Sequence, residues 1–305
     1  MLTRLLTLVP LLFAILDGRL LAESSVWKIT GAQTSIYLAG SFHILKSSDY
    51  PLPPEFEEAY GNSQKIYFET NLDELKDPVV IARIVKLSLY PDGSSLKDHL
   101  SAETYEKLKA QCESAGVNIT SVEHYRPWII TIMISLNPAK KDGYDQTQGV
   151  DQYYFNLAKE DGKPVVGLET TEESIQLLSS LGDQLDEELI SEALHSASES
   201  NESVDKMKDA WRSGDETGLQ TMVADQVKGY PKIYKLLFLD RNANWSKTME
   251  SALSQPGISM FVVGAGHLVG ADGLLAMFRN KGYQVEKLNI SLAAPEPPAD
   301  LNAHR

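Results

Sequence analysis

Two tetrapeptides of one form, Gly40-Ser41-Phe42-His43 and Gly264-Ala265-Gly266-His267, constrain this 305-residue chain more than any other feature. Each closes an apolar run of β type, Ile36-Tyr37-Leu38-Ala39 in the first case and Met260-Phe261-Val262-Val263 in the second. Continuous runs of this kind read as strands buried on both faces, which belong to sheets covered by helices. A helical stretch and a further strand follow each motif: Ile66-Tyr67-Phe68, ending in Glu69-Thr70, after the first, and Gln284 to Ile290 after the second. The ending recurs in mid-chain as Val165-Val166-Gly167-Leu168-Glu169-Thr170. In such sheets ligand sites assemble where the strand ends converge. His43, His267, Glu69 and Glu169 are therefore expected at one edge.

These residue types suit metal-assisted hydrolysis. Glycine lets the backbone turn tightly and approach a ligand. Neutral imidazole nitrogen and hard carboxylate oxygen make a mixed donor set fitted to Zn²⁺, Mn²⁺ or Co²⁺. An open coordination position on such an ion activates water. The plainer alternative has each histidine capping a strand end through backbone hydrogen bonds, and Glu169 capping a helix that begins near Ser174. One motif alone favours the plainer reading; the pair favours a shared site.

The expected fold is α/β of the mixed α+β kind: a central β-sheet with two strand–GxxH–helix–strand units and a large helical insertion. One domain is expected over residues 23–292, with helical insertions at about 73–140 and 174–250. Within the first, Ser101 has capping chemistry, and Leu100, Tyr105, Leu108 and Cys112 recur near helical spacing. That makes Cys112 a core filler rather than a nucleophile. Trp128 to Leu136 reads equally as helix or strand, and Gly149 to Ala158 as helix. A long helical region from Ser174 to Leu239 is expected to break near Gly182, Gly214 and Pro231.

Arg4, the apolar run Leu5 to Leu16 and the small residue Ala22 follow the grammar of a secretory signal, expected over residues 1–22. Its apolar run falls short of the ~20 residues that span a bilayer as a helix. No other segment is long enough, so the processed protein is expected to be periplasmic or secreted and not integral to a membrane. Ala293 to Arg305, with Pro295, Pro297 and Pro298, reads as a disordered tail. The balance of 28 Lys+Arg against 42 Asp+Glu, net −14, argues against a nucleic-acid partner. The lone cysteine removes disulfide frameworks and CxxC redox pairs. No GxSxG elbow, HExxH, Walker loop or GxGxxG is present. His99, His124, His195 and His304 sit in a cap, a packed turn, a polar helix and the tail, and are weaker candidates.

At these same residues the chain resembles the TraB/GumN family, whose broader relatives include Tiki-type metalloproteases, erythromycin esterase-like proteins and ChaN-like haem-binding lipoproteins. The likeness is carried by Gly40 to His43 with Tyr50-Pro51-Leu52-Pro53, by Phe68-Glu69, Arg126-Pro127-Trp128, Gly149-Val150-Asp151 and Gly167-Leu168-Glu169-Thr170. It ends with Asp240-Arg241-Asn242 and the run from Val262 to Leu275. Ser41 stands where the family usually has threonine.

The resemblance implies that both GxxH histidines and the glutamates meet at one site proposed to bind a divalent metal. His43, Glu69 and His267 are then the expected metal-holding residues and Glu169 the general base. Arg241 is either an oxyanion partner or a plain helix-end cation, and Asp151 reads better as a helix cap. The function implied is an exported metal-dependent hydrolase of peptidase or esterase type, acting on a small-molecule or peptide substrate. The alternative is a non-catalytic haem- or metal-binding protein of the ChaN-like type.

Overall fold

The computed structural model describes residues 21–22, 24–181, 185–198, 201–226 and 230–291. The strands are β1 (Leu21–Ala22), β2 (Val26–Thr30), β3 (Ser35–Ser41), β4 (Lys65–Phe68), β5 (Val165–Gly167), β6 (Ser259–Gly264), β7 (Gln284–Lys287) and β8 (Ile290–Ser291). Six of them form one sheet in the order β5-β4-β6-β3-β2-β7. The run β5, β4, β6, β3 is parallel, and β2 is antiparallel to both β3 and β7. The chain is thus a mixed α/β fold, as the alternation of strands and helices predicts.

The apolar runs that close on the two motifs are the centre of that sheet. β6 is buried along its whole length, and β3 from its second residue onward. Although over 200 residues separate them, they lie side by side, with Ala39 opposite Val262 and Ser41 opposite Gly264. On the other side of β6, Phe68 pairs with Val262, and beyond it Gly167 with Phe68. Four strand ends therefore finish at one level. The ladder even continues past the strands, since Leu168 N–H donates to Phe68 O and Glu169 N–H to Glu69 O. The Gln284 to Ile290 stretch divides into β7, which pairs with β2 and whose ladder Leu288 N–H extends to Val26 O, and β8, which pairs with β1.

The helices Pro54–Asn62 and Val150–Glu160 pack on the sheet through Phe56, Tyr154 and Phe155. Trp245 and Met249 on the helix Asp240–Leu253, and Phe278 on Leu274–Asn280, complete the same core. Burial of such aromatic side chains is the main driving force for this layer. A second, smaller core is mainly helical and gathers Leu96, Tyr105, Leu108, Cys112, Ile130 and Ile190. Cys112 lies on the helix Ala102–Ser114, capped by Ser101, whose hydroxyl accepts from Thr104 N–H.

The segment left open between helix and strand is the helix Pro127–Lys141. The long helical region resolves into Thr171–Leu181, Asp186–Ser198, Asn201–Ser213, Glu216–Gln226 and Pro231–Tyr234. Gly214, at φ +62°, makes one of its breaks. Gly182 lies outside the described residues, as do residues 1–20 of the expected signal region and the expected tail. Of the signal region, Leu21 and Ala22 are described and pair antiparallel with Ser291 and Ile290. Among the described residues no helix is long and apolar enough to cross a membrane.

Candidate functional site

His43 leaves β3, Glu69 leaves β4, Glu169 leaves β5 and His267 follows β6, all at the same edge of the sheet. The centre of the group is one oxygen. Glu69 Oε1 lies 3.9 Å from His43 Nε2 and 4.0 Å from His267 Nε2, and accepts a hydrogen bond from Gly264 N–H at 2.8 Å. The two histidines thus aim the same ring atom at the same carboxylate.

Each ring is held from behind by a different element. Asn242 donates from Nδ2 to the carbonyls of His267 and Asp272, which turns its Oδ1 toward His267 Nδ1 at 2.7 Å. His267 therefore carries its proton on Nδ1 and presents a lone pair at Nε2. Asp151 Oδ1 lies 3.3 Å from His43 Nδ1 and is itself held by the Ser41 hydroxyl at 2.8 Å. Carboxylate or carbonyl partners of this kind fix the tautomer and direction of ligating histidines.

The environments of the two rings differ sharply. His267 is 5% exposed, between Trp245 and Phe238. Burial lowers its pKa to about 3, with Arg241 and His43 pressing the same way against the pull of Glu69. The His43 side chain is 52% exposed. Burial opposes its charge too, yet Asp151 and Glu69 outweigh that and raise its pKa to about 9. Solvent around a half-exposed ring screens part of that pull.

Arg241 joins the two glutamates. It grips Glu169 with two bonds, Nε to Oε2 at 3.0 Å and Nη2 to Oε1 at 2.8 Å. Nη2 also donates to Glu69 Oε2 at 2.7 Å, and Nη1 to His267 Nε2 at 3.2 Å. Burial opposes the ionised form of Glu69, but Arg241 and then the two histidines hold its carboxyl well below the usual carboxylate range. The guanidinium lies over Trp245, 4.4 Å from the ring centroid. A stretch of π-helix, Lys235–Leu239, immediately precedes the helix Asp240–Leu253 that carries Arg241. Such bulges often mark functional positions in helices.

Glu169, expected from sequence as a general base, is surrounded by donors. Its oxygens accept from Arg241, from Trp245 Nε1 at 3.2 Å and from the Ser174 hydroxyl. Four donors use the lone-pair sites of a carboxylate. Nor does Glu169 cap the following helix; that helix begins at Thr171, and Thr170 with Glu173 forms the reciprocal cap. Asp151, weighed from sequence as a cap, lies against His43. Asn242 and Trp245 are also part of the site. Trp245 stands four residues after Arg241 on one helix, a spacing that places two side chains together and was the signal available for it.

The two Gly-x-x-His glycines act locally. A Cβ on Gly264 would lie 2.8 Å from His43 Nε2, 3.3 Å from Glu69 Oε1 and 3.6 Å from His267 Cδ2. The missing methyl is thus the space between the three donors. Gly264→Ala should therefore displace the His43 ring. A crystal structure of the variant checks this; an unmoved ring in a well-folded variant would contradict it.

Two imidazoles and a carboxylate around a vacated Cβ position fit a divalent ion by donor chemistry. Among the described residues no three His, Cys, Asp or Glu side chains already form a ligand cage. Arg241 Nη1 lies on His267 Nε2, and an ion would replace that bond.

The fold and this edge define an α/β protein with paired Gly-x-x-His histidines and an arginine-bound glutamate pair at the parallel strand ends. The chain belongs to the TraB/PrgY/gumN family, whose model matches residues 25–287. It is similar to the uncharacterized protein YbaP of Escherichia coli K12, 23% identical over 80% of this chain and 87% of YbaP. Metalloprotease TIKI1 of Danio rerio is 24% identical over 87% of this chain and 63% of its own length. An uncharacterized protein of Treponema pallidum is 17% identical over 85% of this chain and 81% of its own. No solved structure matches the chain.

Proposed function

We propose that this chain is an exported, divalent-metal-dependent hydrolase of peptide or ester bonds. The observation that carries the reading is the convergence of His43 Nε2 and His267 Nε2 on Glu69 Oε1, across the gap that Gly264 leaves. The likeness to TIKI1, named a metalloprotease, supports it, and the Arg4 to Ala22 segment supports export.

His43, His267 and Glu69 would hold the ion, of Zn²⁺, Mn²⁺ or Co²⁺ type. Such an ion, when bound, polarises a carbonyl and acidifies water. Asp151 and Asn242 keep the two rings aimed. Arg241 keeps Glu69 ionised and sets a fixed positive charge beside the place where an acyl oxygen gains negative charge. Glu169, Trp245 and Ser174 hold that guanidinium in position. Glu69→Gln is therefore expected to lose metal, whereas Glu169→Gln keeps metal and loses rate by about 10²–10³-fold, the scale of a misplaced oxyanion partner. Metal content and turnover on both variants check the division; equal metal loss would make Glu169 a ligand.

The direct test uses chelator-stripped protein assayed on peptides and esters with and without Zn²⁺, Mn²⁺ or Co²⁺. Turnover restored by one ion is the expected result. Turnover indifferent to chelation, or no turnover with a Soret band on haem titration, overturns the reading.

A further inference from the structure

One cavity lies outside the His/Glu/Arg cluster, and its lining includes Ile44, the residue that follows His43. Its volume is about 470 Å³, within the ~300–1,000 Å³ of small-molecule pockets. The helical layer supplies its deep side through Cys112, Ile130 and Ile134, which are 2%, 1% and 4% exposed. Its polar lining, Lys140, Asp145 and Gln146, is exposed to solvent. The cavity is therefore apolar in depth and polar at its outer side.

The lining also holds Ile44, the residue after His43, and Tyr144. Leu45 and Asp145 exchange backbone hydrogen bonds at 3.2 and 2.9 Å, tying the His43 segment to the polar side of the cavity. A few residues on, a Cβ at Gly149 would meet His43 O at 2.4 Å, and Asp151 reaches the His43 ring. One short run, Asp145 to Asp151, thus borders the cavity at one end and positions His43 at the other.

We infer that this cavity receives an apolar group of the substrate, one that flanks the bond placed at His43. The inference rests on the hydrolase reading and names its substrate class: acyl or peptidyl compounds with a large apolar substituent, either a medium-length acyl chain or an aromatic or branched side chain. No charged side chain is buried in its depth among the residues named, so a charged group there would lose its hydration without compensation.

The test is equilibrium binding by calorimetry, independent of catalysis. Decanoate and hexanoate probe the acyl source; N-acetyl-phenylalaninamide and N-acetyl-alaninamide probe the side-chain source. Burial gains about fourfold in affinity per methylene, so the larger member of one pair should bind at least tenfold tighter. Met133→Trp fills the cavity from a side chain that is 41% exposed and outside the core, and Ala115→Phe fills it from the C-cap of a second helix, Ala102–Ser114. Both are expected to weaken the larger ligand at least tenfold while circular dichroism stays unchanged. Preference for decanoate assigns the acyl source, and preference for the phenylalanine amide the side-chain source. No size preference in either pair, or binding untouched by both folded variants, overturns the inference. Binding without turnover would leave the pocket standing and sink the hydrolase reading. Turnover of acetate and decanoate esters that ignores both variants would do the reverse.

Discussion

Arg241→Met should destabilise the protein by up to about 3–5 kcal/mol, the cost of removing one partner from a buried ion pair, reduced by the partial exposure of these side chains. The reason is specific. Arg241 is the group that donates to Glu169 through both Nε and Nη2 and to Glu69 through Nη2. Without it, two carboxylates that meet through one guanidinium would face each other with no cation between them. Methionine restores much of the aliphatic volume, so the loss reports charge pairing rather than a cavity. For a chain of this size about 3–5 kcal/mol corresponds to roughly 5–8 °C in melting temperature. Arg241→Lys keeps a charge but not the planar fork that grips Glu169, so it should recover part of the stability and little of the rate. Urea unfolding of the three proteins measures this. A change under about 1 kcal/mol for Arg241→Met, the scale of an exposed pair, would mean that the network does not hold the site.

The histidines should separate stability from function. His43→Ala and His267→Ala are both expected to abolish turnover, by about 10³-fold or more, the scale of losing a group that acts as part of a catalytic unit. Their effects on folding should differ. His267 is packed between Trp245 and Phe238 and bonded to Asn242. Its removal leaves a cavity and an unsatisfied amide oxygen, together about 2–4 kcal/mol. The His43 ring is half exposed and should cost under about 1 kcal/mol. Equal stability losses in the two variants would contradict the environments described for them.

Much of this arrangement is legible in the chain itself, and the reason is the parallel sheet. Central parallel strands are buried on both faces, so β3 and β6 stand out as unbroken apolar runs, and the residues just past them are marked for the edge where ligands bind. Glu69-Thr70 and Glu169-Thr170 share the same local signature, and the structure places them on neighbouring strands. What escaped were the partners that act across distance. Asp151 reads as a helix-start residue, and only the folded chain brings it to Ser41 and His43, about a hundred residues away. For Glu169, local sequence cannot show that Arg241, Trp245 and Ser174 all donate to it. The cavity beside Ile44 was equally hidden, since its lining comes from separate cores.

The most direct measurement of the central claim is metal stoichiometry on protein purified without a histidine tag, by elemental analysis after Co²⁺ or Zn²⁺ loading and dialysis. Wild type, His43→Ala and His267→Ala are compared, each confirmed folded. One equivalent in wild type, lost in both variants, is the result that a single site built from both Gly-x-x-His motifs predicts. Retention of the ion by either variant, or its absence from loaded wild type, would contradict it.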